Sequence, residues 1–125
     1  MYQANITQTP KVMDTMNIIR TFPLAVEVRT DPKIFRLLGK LSPETAWGDR
    51  KIAAQKLGNM RSLEALPGLL DALPMDPFWM VRCAIIQALE KIGDAGAVPT
   101  LLAVAQNDSF QVVRSHAAKA VERLS

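Results

Sequence analysis

Apolar residues recur along most of this chain at three- and four-residue intervals, the spacing that brings side chains to one face of a helix. In the stretch Asp76–Gly93, Val81, Ile85, Ala88, Leu89 and Ile92 fall on such a stripe, and a helix is predicted over 78–92. Ile34, Leu37, Leu38 and Leu41 make another, in a helix opened by Thr30-Asp31 as cap and Pro32 at its first position. The same pattern predicts helices from Ala46 to about Gly58, around Ala65 to Leu73, over 97–106 and over 110–124. Ser62 and Asp94 are the expected caps, Gly93 the expected C-terminal stop, and the third helix is expected to end before Pro74. Upstream, residues 1–9 carry no apolar period and read as a mobile terminus. Pro10 opens a predicted helix to Arg20, Pro23 kinks or ends it, and Leu24–Val28 fits either a helical piece or a short extended segment. No stretch is strand-like over more than five residues, so the fold class is all-α.

The helices also repeat. Asp76, Phe78, Trp79, Arg82 and Leu89 have counterparts 32 residues earlier at Glu44, Ala46, Trp47, Arg50 and Leu57. Asp108, Phe110, Val113 and Arg114 occupy the same slots 32 residues later, and Ala65/Ala97, Pro67/Pro99, Leu69/Leu101 and Leu70/Leu102 obey the same period. A fixed period of this size implies a stacked array of one small unit. The stripe in 78–92 is wider than one neighbour can cover, so pairs of helices must stack on both sides. Small residues at Ala53, Ala54, Ala84, Ala88, Ala117, Ala118 and Ala120 are expected to permit close approach, with axes about 8–10 Å apart.

Length and composition add little to this and remove several options. At 125 residues, 49% of them hydrophobic and 22% charged, the chain has the size and balance of one globular domain. No apolar run approaches the roughly 18–20 residues of a membrane-spanning helix, and MYQANITQTP lacks the apolar core of a secretory signal. Cys83 is the single cysteine, which excludes an intrachain disulfide and points to a reducing compartment, so a cytoplasmic location is expected. The net charge of +3 resides in residues 1–41; the remainder carries nine basic and nine acidic groups. Only weak, nonspecific attraction to nucleic acid is expected from such a balance.

The unit formed by Asp76, Val81, Arg82, Ala84, Ala88, Leu89, Ile92, Gly93, Asp94, Ala97, Val98, Pro99, Leu101 and Leu102 resembles the HEAT repeat. It is most similar to the short variety named for phycobilisome lyases, which is widespread in prokaryotic proteins. The resemblance covers about 32–125, with 10–31 as a degenerate capping helix region of the same domain; Ile18 stands one period before Arg50, where the pattern has arginine. It implies a right-handed α-solenoid of stacked antiparallel helix pairs. The second helix of each pair would line a concave side, and the role would be that of a non-catalytic scaffold binding a protein partner. A bilin-lyase-like or chromophore-handling role and nucleic-acid binding are the alternatives.

Two groups of residues stand out. Glu44/Arg50, Asp76/Arg82 and Asp108/Arg114 each keep a six-residue spacing at a turn between helices. The acid is expected to cap the helix start and the arginine to reach that turn or its neighbour's, giving a structural ladder. A track for phosphates is the alternative reading. The second group is the outward rows of the second helices, Lys51/Cys83/Ser115, Gln55/Gln87/Lys119 and Asn59/Lys91/Arg123, a polar and lightly basic face flanked by Trp79. Trp47 and Trp79 share one slot, either packing over the turn or forming a stacking platform. Cys83 and His116, one repeat apart, form neither a zinc set nor a catalytic pair, and no serine or acid has a partner in sequence. No enzyme activity, metal or cofactor is expected. The last helix replaces Ile85, Ile86 and Leu89 by Ala117, Ala118 and Val121, so a monomer or weak dimer is expected.

Overall fold

Caps, prolines and left-handed residues mark several of the helix ends. The computed structural model describes residues 31–125. The expectations for the terminus 1–9, the helix from Pro10, the break at Pro23 and the segment Leu24–Val28 lie outside the described residues. Six α-helices follow in order: α1 (Pro32–Gly39), α2 (Trp47–Met60), α3 (Leu66–Met75), α4 (Trp79–Ile92), α5 (Val98–Asn107) and α6 (Gln111–Leu124). Single 3₁₀ turns at Leu63–Ala65 and Ala95–Ala97 lead into α3 and α5, and no strand occurs among the described residues.

Asp31 caps α1 as its sequence suggests, its Oδ1 accepting from the Lys33 amide at 2.8 Å. Ser62 and Asp94 cap the 3₁₀ turns rather than the α-helices, accepting from the amides of Glu64 (3.2 Å) and Gly96 (2.8 Å). Pro67 and Pro99 then fall in the first two positions of α3 and α5, where no helical bond is lost. Pro74 does not end α3, which continues to Met75. A proline so close to the end removes only the bond to the carbonyl four residues back, and the Asp76 amide still closes the last turn on Ala72 O at 3.0 Å. Gly93 stops α4 in the left-handed region (φ 77°). The same slot at the end of α2 holds Arg61, whose φ of 52° is the only positive value at a non-glycine among the described residues.

Three-residue turns fold α4 back along α3 and α6 back along α5, giving antiparallel pairs. The second members then pack on each other, α2 against α4 and α4 against α6. α4 is thus covered on three sides, by α2, α3 and α6. Val81, Ile85, Ala88 and Leu89 of the stripe read from the sequence are buried, together with Ala84 and Ile86, while Ile92 at its end is only half-buried. Leu57, Leu69, Leu73, Leu101 and Val113 complete a continuous core. Each fully buried side chain of this size contributes about 1.5–3 kcal/mol relative to exposure. Helix backbones come close at Gly58, where a Cβ would stand 2.7 Å from Ala88 Cα. That close approach fixes the register of α2 against α4.

Candidate functional site

The turns between pairs carry the most ordered polar chemistry. Asp76 and Asp108 each turn an Oδ1 back onto their own chain, accepting from the amides of Phe78 (3.0 Å) and Phe110 (2.9 Å). Neither is the N-cap itself; Phe78 and Phe110 hold those positions without a side-chain bond. The arginines then reach across, not back. Arg50 Nε and Nη2 donate to Asp76 Oδ2 and Oδ1 at 2.8 and 3.1 Å. Arg82 Nε and Nη2 donate to the two oxygens of Asp108 at 2.7 and 3.0 Å. The remaining nitrogen returns to the arginine's own repeat: Arg50 Nη1 to Thr45 O, Arg82 Nη1 to Asp76 O at 2.8 Å, Arg114 Nη1 to Asp108 O at 2.6 Å.

Each rung therefore ties one repeat's turn to the next repeat's acid, and the six-residue pairs Asp76/Arg82 and Asp108/Arg114 bond only through the acid's backbone carbonyl. Glu44 stands outside the series: its amide takes Ser42 Oγ at 3.3 Å, and its carboxylate reaches neither Arg50 nor any other described side chain. Arg50 and Arg82, 5% and 7% exposed, have both fork nitrogens occupied and offer no open pair to a phosphate. Arg114 has no carboxylate partner among the described residues.

The tryptophans accompany the rungs. Trp47 meets Phe78 with ring centroids 4.5 Å apart at 50°, and Trp79 stacks on Phe110 at 6.1 Å and 16°. Arg82 lies over Phe110, its Cζ 5.8 Å from the centroid. The slot two residues after an acid thus supplies an aromatic cover for the preceding repeat's tryptophan, a pairing that single-residue reading of the repeat does not reveal.

On the outward side of the second helices, Lys51, Gln55, Trp79, Cys83 and Gln87 converge on one shallow groove of about 270 Å³. Met80, Ala84, Val112 and His116 complete it. Ser115 and Lys119 line a neighbouring hollow on α6 with Gln111, Val112 and His116. Lys91 joins a third with Arg61, Gln87, Glu90 and Arg123. There Lys91 Nζ donates to Asn59 Oδ1 at 2.8 Å and Arg61 Nη1 to Lys91 O at 2.8 Å, while Arg123 pairs with Glu90 at 2.8 Å. Val112, Met80 and His116 were not anticipated as lining residues. His116, one residue out of the register of Cys83, reaches the same groove because adjacent second helices pack side by side. Its Nδ1 donates to Val112 O at 2.8 Å, since a carbonyl can only accept. Burial pushes the Cys83 thiol up, Arg82 opposing and Asp108 adding to the shift. A separate hollow of about 570 Å³ opens on the first-helix side between Pro74, Pro99, Val104 and Asp108.

Among the described residues no group of three or more His, Cys, Asp or Glu is placed to hold a metal ion, and no helix is long and apolar enough to cross a membrane. No curated protein matches the chain. Residues 36–122 match the family of HEAT repeats, the same span over which paired helices stack and arginines lock each turn to the next. The chain belongs to the HEAT-repeat family.

Proposed function

We propose that this protein is a non-catalytic interaction module whose second-helix face holds a segment of a protein partner. The observation that carries the reading is the groove shared by α2, α4 and α6, the second helices of three successive repeats. Its lining, and that of the adjacent hollow on α6, contains Lys51, Lys119 and several polar groups but no carboxylate. A segment carrying acidic side chains and one apolar anchor against Trp79 fits this chemistry. Recurrence of the Arg50–Asp76 contact as Arg82–Asp108 supports a 32-residue period. In our reading the array is a right-handed superhelix with this face on its concave side, as the resemblance to the HEAT repeat implies.

The tryptophans support the protein reading over a base-stacking one, because each already has a phenylalanine against its ring. Chromophore handling has only the repeat variety in its favour. A protonated Cys83 and a His116 committed to a backbone carbonyl suit a binding surface better than a catalytic one. The test is affinity capture from native lysate with Gln87→Glu/Lys119→Glu beside a control on the first helices, Asp71→Lys/Gln106→Glu. Loss of the captured partner in the first variant alone is expected. Loss in the control alone, with both variants folded, assigns binding to the first-helix side.

A further inference from the structure

We propose that Cys83, His116 and Met80 form a binding site for a soft monovalent metal ion, copper(I), where α4 and α6 face the groove. All three are half-buried and line that groove together. Cys83 and His116 lie on different helices, and the register of those helices places them across from one another. Glu90 on α4 pairs with Arg123 on α6 at 2.8 Å. Cys83 and His116 each stand about two helical turns before that pair, on the same faces. Beyond them Trp79 stacks on Phe110 with centroids 6.1 Å apart, so the chain is held together on either side of the two donors. Met80, one turn before Cys83, shares its face of α4.

The donors suit such an ion in kind. His116 Nδ1 donates to Val112 O at 2.8 Å, which fixes the tautomer and leaves the lone pair on Nε2. Ligating histidines hold their other ring nitrogen in this way, and the bond raises the basicity of the free one. A cysteine sulfur and a thioether are the soft ligands that select copper(I). In the free protein burial keeps the Cys83 thiol protonated at neutral pH. Binding therefore replaces the S–H bond by an S–Cu bond and releases one proton to water, with no change in oxidation state.

Charge selects an ion of one positive unit over one of two. The thiolate neutralises a monovalent ion completely. No carboxylate lines the groove and Lys51 lines it from α2, so zinc(II) would keep an uncompensated charge beside an ammonium group. Three donors also fall short of the four that a structural zinc site takes. The site stands apart from the partner reading, since it asks only for side chains of α4 and α6 and not for a segment lying across them.

The experiment is anaerobic titration of the full chain with copper(I) against a coloured copper(I) chelator, repeated with zinc(II) and a zinc indicator. The wild type should hold about one equivalent of copper(I), far more tightly than zinc(II). Cys83→Ser should abolish retention. His116→Gln and Met80→Leu should each weaken it at least about tenfold, a loss that removal of even an outer partner of a ligand can cause. X-ray absorption at the copper edge should find one nitrogen and two sulfurs around the ion. His116→Gln and Met80→Leu carry the test should Cys83→Ser lose its fold, because both side chains lie outside the buried core. No retention, zinc(II) held as tightly as copper(I), or retention that His116→Gln and Met80→Leu both leave unchanged, as a lone thiol would give, overturns the proposal.

Discussion

Arg82 and Asp108 belong to different helix pairs, yet the guanidinium of one grips both carboxylate oxygens of the other at 2.7 and 3.0 Å. The third bond of Arg82 returns to Asp76 O in its own turn, so one side chain spans the junction. Its charge is shielded at 7% exposure. A shielded, bidentate pair is costly to break from one side, because the abandoned partner keeps its desolvation.

Arg82→Ala should therefore destabilise the protein by about 3 kcal/mol. Arg114→Ala loses one bond to a backbone carbonyl and should cost about 1 kcal/mol. Urea denaturation checks both, and a cycle with Asp108→Ala should show strong coupling to Arg82→Ala. Coincident midpoints for wild type and Arg82→Ala would show that the rung adds nothing to stability.

Gly58 sets a second test. Alanine inside a helix is ordinarily favoured over glycine by about 1 kcal/mol. Here the added methyl would stand 2.7 Å from the Ala88 backbone, which cannot move aside as a flexible side chain could. Overpacking of this kind costs about 1–3 kcal/mol, so Gly58→Ala should lower the melting temperature despite its better helix propensity. A higher melting temperature would mean that α2 and α4 are free to separate.

The thiol gives a third. With its folded pKa raised chiefly by burial, Cys83 should react with iodoacetamide more slowly at neutral pH than an unfolded cysteine, and catch up in urea. The raised value also fixes the sign of the pH dependence. Below the unfolded thiol's pKa both states are protonated and nothing changes. Above it the unfolded chain ionises first, so this group lowers stability as pH rises, until the folded thiol also ionises. Stability loss on alkaline titration should be smaller in Cys83→Ala.

The helices were legible because their apolar spacing is strict and their caps conventional. Ile34, Leu69, Leu73, Ile85 and Leu89 are buried where the stripe put them. Pro74 misled because a proline's cost depends on how many turns remain, which the sequence does not display. The ladder residues were visible as a period, but not their connectivity. A six-residue spacing within one turn is shorter in sequence than the 26 residues from Arg50 to Asp76, and only packing makes the longer path the nearer one. Glu44 fitted the spacing and lacks the contact for the same reason. Val112 and His116 reached the groove through the lateral offset between helices, which no linear pattern encodes.

The left-handed turn at Arg61 has an unequal counterpart at Gly93, and the difference makes one helix end conditional on its neighbour. Gly93 adopts its φ of 77° without hindrance, so α4 can finish its last turn by itself. Arg61 holds a φ of 52° against the crowding of its own Cβ while its guanidinium is anchored on Lys91 O, at the far end of α4. Should α4 unseat, that anchor is gone and the strained residue has reason to relax, fraying the end of α2 with it. Loss of α6 removes the Arg123–Glu90 pair from the end of α4 but leaves no strained residue there to relax. Opening of the array is thus unsymmetrical, and amide exchange in the last turn of α2 should follow the departure of α4, whereas the last turn of α4 keeps its own schedule.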